Sequence, residues 1–129
     1  MRVREDFAAR AAAKSADTSR TELNALATHR SALVRRALAA NENAPRSALE
    51  RLARDDDPQV RVAVAENPAS TTTALRTIVR TPAGGGFAGV ARRKALLAVA
   101  SHPTVTPDLL RLLADDEDRL VARRAAARS

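Results

Sequence analysis

Two residues separate Arg92, Arg93 and Lys94 from Thr81–Gly89, a segment that holds all four glycines of the chain. Glycine-rich backbone can turn several N–H groups toward an anion, and neighbouring cations would complete the neutralisation. Gly84, Gly85, Gly86 and Phe87 are therefore a candidate functional loop. Arg92, Arg93 and Lys94 are candidate contacts to an anionic partner. The segment lacks the Gly-Lys-Ser/Thr ending of a phosphate-binding P-loop. No strand is expected before it, so a dinucleotide-binding fingerprint fails as well. Phe87 reads as a core-packing side chain, a hinge plug or a small partner anchor. A second basic stretch, Arg119–Arg128, adds Arg123 and Arg124 to the candidate anion contacts. As a helix it would divide into an apolar face with Leu120 and Val121 and a cationic face with Arg124.

The other reactive side chains have simpler readings. Asp55–Asp57 and Asp115–Asp118 fall where helices should begin, and carboxylates there complement the positive end of the helix dipole. Neither run has the spacing or the glycine of a calcium loop, and nothing sets a base or nucleophile beside them for paired-acid catalysis. Arg35 and Arg61 occupy equivalent places just after a buried valine. They form either an arginine ladder toward an anionic partner or pairs with aspartates of the neighbouring unit. The two histidines stand alone: His29 in a turn between helices, His102 before Pro103 as a helix C-cap. The hydroxyls around Ser70–Thr73 suit caps and turns. No Ser/His/Asp arrangement emerges.

Composition narrows the field further. With no Cys, the chain has neither disulfides nor thiolate ligands for zinc or an iron–sulfur cluster, so no cofactor is expected. Two Phe and no Tyr or Trp leave no platform for stacking single-stranded bases. No apolar run approaches the length of a membrane span, and the first residues do not read as a secretory signal. The expectation is a cytoplasmic protein. Twenty-two basic residues against 15 acidic give +7, carried by 20 Arg and only 2 Lys, and 30 Ala accompany them. Ala, Leu and Arg are strong helix formers, so the chain should be all-α.

Those helices must come in a repeating order, because the sequence repeats. At an offset of 26, Val34 falls on Val60, Arg35 on Arg61, Asn41 on Asn67, Leu49 on Leu75 and Leu52 on Ile78. Going backward, Leu23 and Leu26 match Leu49 and Leu52. Going forward, the register needs nine more residues: Asn67-Pro68 then meets His102-Pro103, and Ile78 meets Leu113. Asp116–Asp118 repeats Asp55–Asp57, with Val121 in the place of Val60. On this alignment Arg92, Arg93 and Lys94 replace Asp57, Pro58 and Gln59, reversing the charge at a helix start.

Each unit reads as two short helices. Asp57 and Pro58 suit the N-cap and first position of one, Asn67 a left-handed C-cap, and Pro68 a stop. Ser19 with Glu22 and Ser47 with Glu50 have capping-box spacing, and Thr106-Pro107-Asp108 opens another helix. Helices are expected at 6–14, 20–27, 32–40, 46–53, 58–65, 71–79, 89–101, 107–114 and 119–127, the shorter ones partly 3₁₀. The whole chain, 1–129, is one helical-repeat domain. Its units are about 1–26, 27–52, 53–80 and 90–114, with a half unit at 115–129 and the insertion at 81–89.

The stretch DDDPQVRVAVAENPASTTTALRTIV, with its weaker copy SHPTVTPDLLRLLADDEDRLVA, resembles leucine-rich repeat variant (LRV) repeats, which are similar in shape to HEAT-type helical repeats. The resemblance implies stacked pairs of an α-helix and a shorter helix, wound into a right-handed α-solenoid of about four pairs. The Cys cluster that holds iron and sulfur in some LRV proteins has no counterpart here. An extended helical-repeat surface suits a macromolecular partner. The function expected is a non-enzymatic protein-interaction module or scaffold. The alternative is nucleic-acid binding through phosphate contacts from the basic clusters.

Overall fold

The structure is a computed structural model that describes residues 2–82 and 89–128, with side chains from Asp6 onward. The described residues form helices α1 (Arg2–Lys14), α2 (Arg20–Leu26), α3 (Ala32–Ala39), α4 (Arg46–Leu52), α5 (Pro58–Glu66), α6 (Thr72–Arg80), α7 (Gly89–Ala100), α8 (Pro107–Ala114) and α9 (Arg119–Arg128), with no strand among them. Apart from α1, which starts four residues earlier, every boundary falls within a residue of the sequence expectation. The second helices, seven to nine residues long, are α-helical rather than 3₁₀.

Local chemistry explains most starts. Ser19, Asp57, Thr71 and Thr106 each accept a backbone N–H of the helix they open, at 3.2, 2.8, 3.2 and 3.3 Å. Pro58 and Pro107 stand in the first turn, where no N–H is needed. Helix α4 departs from this pattern. Pro45, already extended at φ −61° and ψ 148°, takes the N-cap place without a side-chain bond. Ser47 is therefore the second helical residue and cannot cap, and the expected box with Glu50 does not form. The Ser47 hydroxyl instead donates to Asn24 Oδ1 at 2.9 Å, and Glu50 accepts the Thr71 hydroxyl at 2.9 Å. Both residues tie neighbouring second helices together.

The helices stack in two layers. The first helices α1, α3, α5, α7 and α9 follow one another in contact, and the second helices α2, α4, α6 and α8 do the same alongside. Between the layers lies one apolar strip, in which Leu23, Leu38, Leu49, Leu52, Leu75, Ile78, Leu96, Leu109 and Leu113 are fully buried, with Val34 and Val60. Each such side chain contributes about 1.5–3 kcal/mol. Buried alanines, including Ala39, Ala65 and Ala100, let successive first helices approach closely. Helix α5 is flanked by α3 and α7 and backed by α6, so even its Arg61 and Val62 are buried.

A side-chain ladder joins the units where the first helices end. Asn67 is not left-handed. It is extended at φ −80° and ψ 117°, and no described non-glycine residue has positive φ. Its Nδ2 donates to the carbonyls of Ala39 and Asn41 in the unit before, at 2.8 and 2.9 Å, while Oδ1 accepts the Ala69 N–H at 2.9 Å. Asn41 repeats this toward Ala13 and Ser15, at 2.8 and 3.2 Å, with Oδ1 accepting the Asn43 N–H at 2.8 Å. His102 takes the same place in the next unit. Its Nε2 lies 2.7 Å from the Asn67 carbonyl, and its Nδ1 accepts the Thr104 N–H at 3.1 Å. These polar residues are buried because their bonds replace water, which unbonded groups could not do.

Candidate interaction surface

The basic residues divide between the two layers. On α3 and α7, arginines are held by aspartates of the following turn. Arg35 Nε donates to Asp55 Oδ2 at 2.7 Å, Nη2 to Oδ1 at 3.3 Å and Nη1 to the His29 carbonyl at 2.7 Å. Beside it, Arg36 lies 3.8 Å from Asp57. This is the aspartate-pairing alternative for Arg35. For Arg61, the same offset of 26 places Thr81 and Ala83 where Asp55 and Asp57 would be.

The same pair of clamps returns at α7, displaced along the helix. Arg92 donates to both oxygens of Asp116, at 3.1 and 2.6 Å, and Arg93 Nε to Asp118 at 2.8 Å. In the repeat register Leu96, not Arg92, corresponds to Arg35. Helix α7 begins one turn earlier than its alignment with α5 implies, and that turn carries Arg92 and Arg93 to the aspartates. The turn opens on Gly89 at φ +58°. An added Cβ there would meet nothing within 4 Å, so the requirement for glycine is one of backbone and not of space.

The clamps have electrostatic consequences. The hydrogen bond to Asp55 raises the Arg35 pKa, and that to Asp116 raises Arg92, each more than burial lowers it. Hydrogen bonding from Arg92 holds the Asp116 carboxyl below the usual carboxylate range, and hydrogen bonding from Arg93 does the same for Asp118. The aspartates also organise the turns: Asp116 Oδ1 accepts the Asp118 N–H at 2.9 Å, and Asp118 Oδ1 the Leu120 N–H at 3.0 Å. Helix capping and clamping thus share the same carboxylates.

Of the candidate anion contacts, Arg92 and Arg93 face Asp116 and Asp118, and Lys94 stands 3.9 Å from Glu66. Their charge reversal lies one turn inside α7 rather than at its start. Arg123 and Arg124 are exposed on α9, Arg124 reaching Ser101 Oγ at 3.4 Å. Gly84, Gly85, Gly86 and Phe87 lie outside the described residues. Arg128 donates to the Ala100 carbonyl at 2.9 Å, satisfying the end of α7.

The second helices carry cations that the cluster-based reading missed. Arg20, Arg46, Arg51, Arg54, Arg76 and Arg80 form no ion pair among the described residues. Several are repeat equivalents: Arg20 and Arg46, Arg54 and Arg80, and, across the insertion, Arg76 and Arg111. Stacked helices set such positions about 8–10 Å apart. Arg51, Arg54 and Arg80 lie at helix C-termini, where a cation also complements the dipole. Arg20 and Arg46 open α2 and α4, where the dipole disfavours a cation, so helix stability does not explain them. The offset of 26 was the available signal, but these arginines never adjoin in sequence.

Open grooves run along this layer. One of them, between α2 and α4, is lined by Arg20, Asn24, Arg46 and Glu50. Two more carry aspartates on their walls. One lies between the 27–30 turn and the end of α4, walled by Arg30, Arg51, Arg54, Asp55 and Asp56. The other lies between α6 and α8 and is lined by Arg76, Arg80, Asp108, Arg111, Leu112 and Asp115. Among the described residues no group of His, Asp and Glu gathers to hold a metal ion, and no helix is long and apolar enough to cross a membrane.

Residues 32–57 match the family model of the leucine rich repeat variant. That span runs from the first residue of α3 to the N-cap of α5, which is one period of the repeat. No curated protein and no solved structure matches the chain.

Proposed function

We propose that the chain is a non-enzymatic, cytoplasmic interaction module that holds a protein partner on its second-helix layer. In this reading about four helical pairs wind into a right-handed solenoid, and a half unit closes the C-terminal end. The observation that carries it is the set of arginines on and just after α2, α4 and α6 that form no ion pair among the described residues, Arg20 with Arg46 and Arg54 with Arg80 being repeat equivalents. Arginine is enriched at protein interfaces and lysine depleted, which fits a chain with 20 Arg and 2 Lys. Both histidines are engaged by backbone, His102 in the ladder and His29 accepting the Ser31 N–H at 3.0 Å, which supports a binding rather than a catalytic role.

Duplex nucleic acid is the second reading, favoured by the same arginines. Against it stand Asp56, Asp108 and Asp115, exposed on the walls of two of the grooves, where phosphates would be repelled. Capture from cell extract at physiological salt tests the proposal. A protein should be retained by the native chain and lost from the variant R51E/R54E/R76E/R80E. A control of equal charge change, R10E/R119E/R123E/R124E, should retain it. Equal loss from both variants, or capture of nucleic acid alone, overturns the reading.

A further inference from the structure

Leu112 is 48% exposed in the middle of the α6–α8 groove. Packing does not call for it, because Leu109, Leu110 and Leu113 already turn the apolar face of α8 into the core. Nor does the repeat, since the equivalent places are Thr77 and Arg51. It shares the groove with Arg76 and Arg80, neither of them ion-paired among the described residues. Arg111, on the same helix, pairs with Asp108, and Asp115, just after it, has no ion partner among the described residues. An apolar centre with a charged rim is the anatomy of a protein-binding site. Its uncompensated cations select carboxylates, which the guanidinium fork can grip in pairs. A duplex would instead leave Leu112 without an apolar counterpart.

We propose that this groove receives an acidic segment of a partner protein, one apolar side chain resting on Leu112 and flanking carboxylates on Arg76 and Arg80. The proposal rests on the protein-interaction reading above and adds the place and the partner's chemistry.

Fluorescence anisotropy at physiological salt provides the test. The probe is a labelled peptide with one phenylalanine between two pairs of glutamates. The comparisons are the same peptide with alanine for phenylalanine, the same peptide with glutamine for glutamate, and a 20-base-pair duplex. The first peptide should bind at least about tenfold more tightly than the other two peptides, as loss of a buried apolar side chain or of two charge contacts implies. L112S and R76E/R80E should each weaken it about tenfold or more, and R123E/R124E less than twofold. All three variants alter exposed or half-buried surface, and unchanged melting would show that they fold. Equal binding of the alanine peptide, or equal loss from R123E/R124E, reduces the site to unspecific charge and overturns the proposal. Preference for the duplex overturns it in favour of nucleic acid. If native chain and L112S capture the same protein from extract, the groove assignment fails while the broader function stands. If the native chain captures none, the broader function fails first.

Discussion

Single polar residues at the ends of the first helices do two jobs that the sequence shows as one. His102 stands where its counterparts are asparagine, and its imidazole reaches the same cross-unit carbonyl through a different atom. His102→Ala leaves the Asn67 carbonyl and the Thr104 N–H without these partners, at a cost of about 1–3 kcal/mol. His102→Asn restores an amide able to make both bonds and should recover most of that loss. Urea denaturation of the two variants checks the ranking, and an asparagine variant as unstable as the alanine one would show that ring packing matters more. A cap at this place was legible from its position before proline. The cross-unit bonds were not, since they join residues 26 to 35 apart through buried main chain.

At the scale of the helix, capping strength depends on which residue opens the first turn. Ser19 occupies the N-cap and bonds the Glu22 N–H, so Ser19→Ala should cost about 1 kcal/mol. Ser47 has the same spacing to an acid but sits inside α4, bonded to Asn24 on the surface. Ser47→Ala should fall within about 0.5 kcal/mol of the native chain. Thermal melts of the pair decide the matter, and equal losses would return Ser47 to the cap. Helix positions were readable because apolar spacing, prolines and caps agreed at nearly every start. Pro45 broke that agreement at α4. The start of α7 at Gly89 was read from the sequence. The repeat alignment, however, set Arg92–Lys94 on Asp57–Gln59 without using that extra turn, and so Arg92 and Arg93 read as free charge.

Across the molecule, charge is compensated helix by helix. Helices α3 and α7 neutralise theirs at the unit boundaries, whereas α2, α4, α6 and α9 leave theirs to solvent or a partner, so the net +7 describes no single helix. The clamps also fix an acid response. Asp116 and Asp118 titrate below their unfolded value of about 4. The stability they contribute is complete above that value and is lost as pH falls through their lower folded values. The raised values of Arg35 and Arg92 lie beyond ordinary working pH and add no slope there. The variant R92Q/R93Q should therefore be less stable than the native chain at pH 7, with the gap narrowing below about pH 4. Urea titrations at pH 7 and pH 3 measure it, and a constant gap would mean that the arginines act through packing alone.

The ladder also has a direction. At each rung the donor belongs to the later unit, and the acceptor carbonyl to the earlier one. During synthesis, therefore, every unit that leaves the ribosome finds a finished neighbour whose carbonyls are still hydrated and ready to receive it. Assembly can follow translation unit by unit from the N-terminal end, each new donor meeting carbonyls that have already been made.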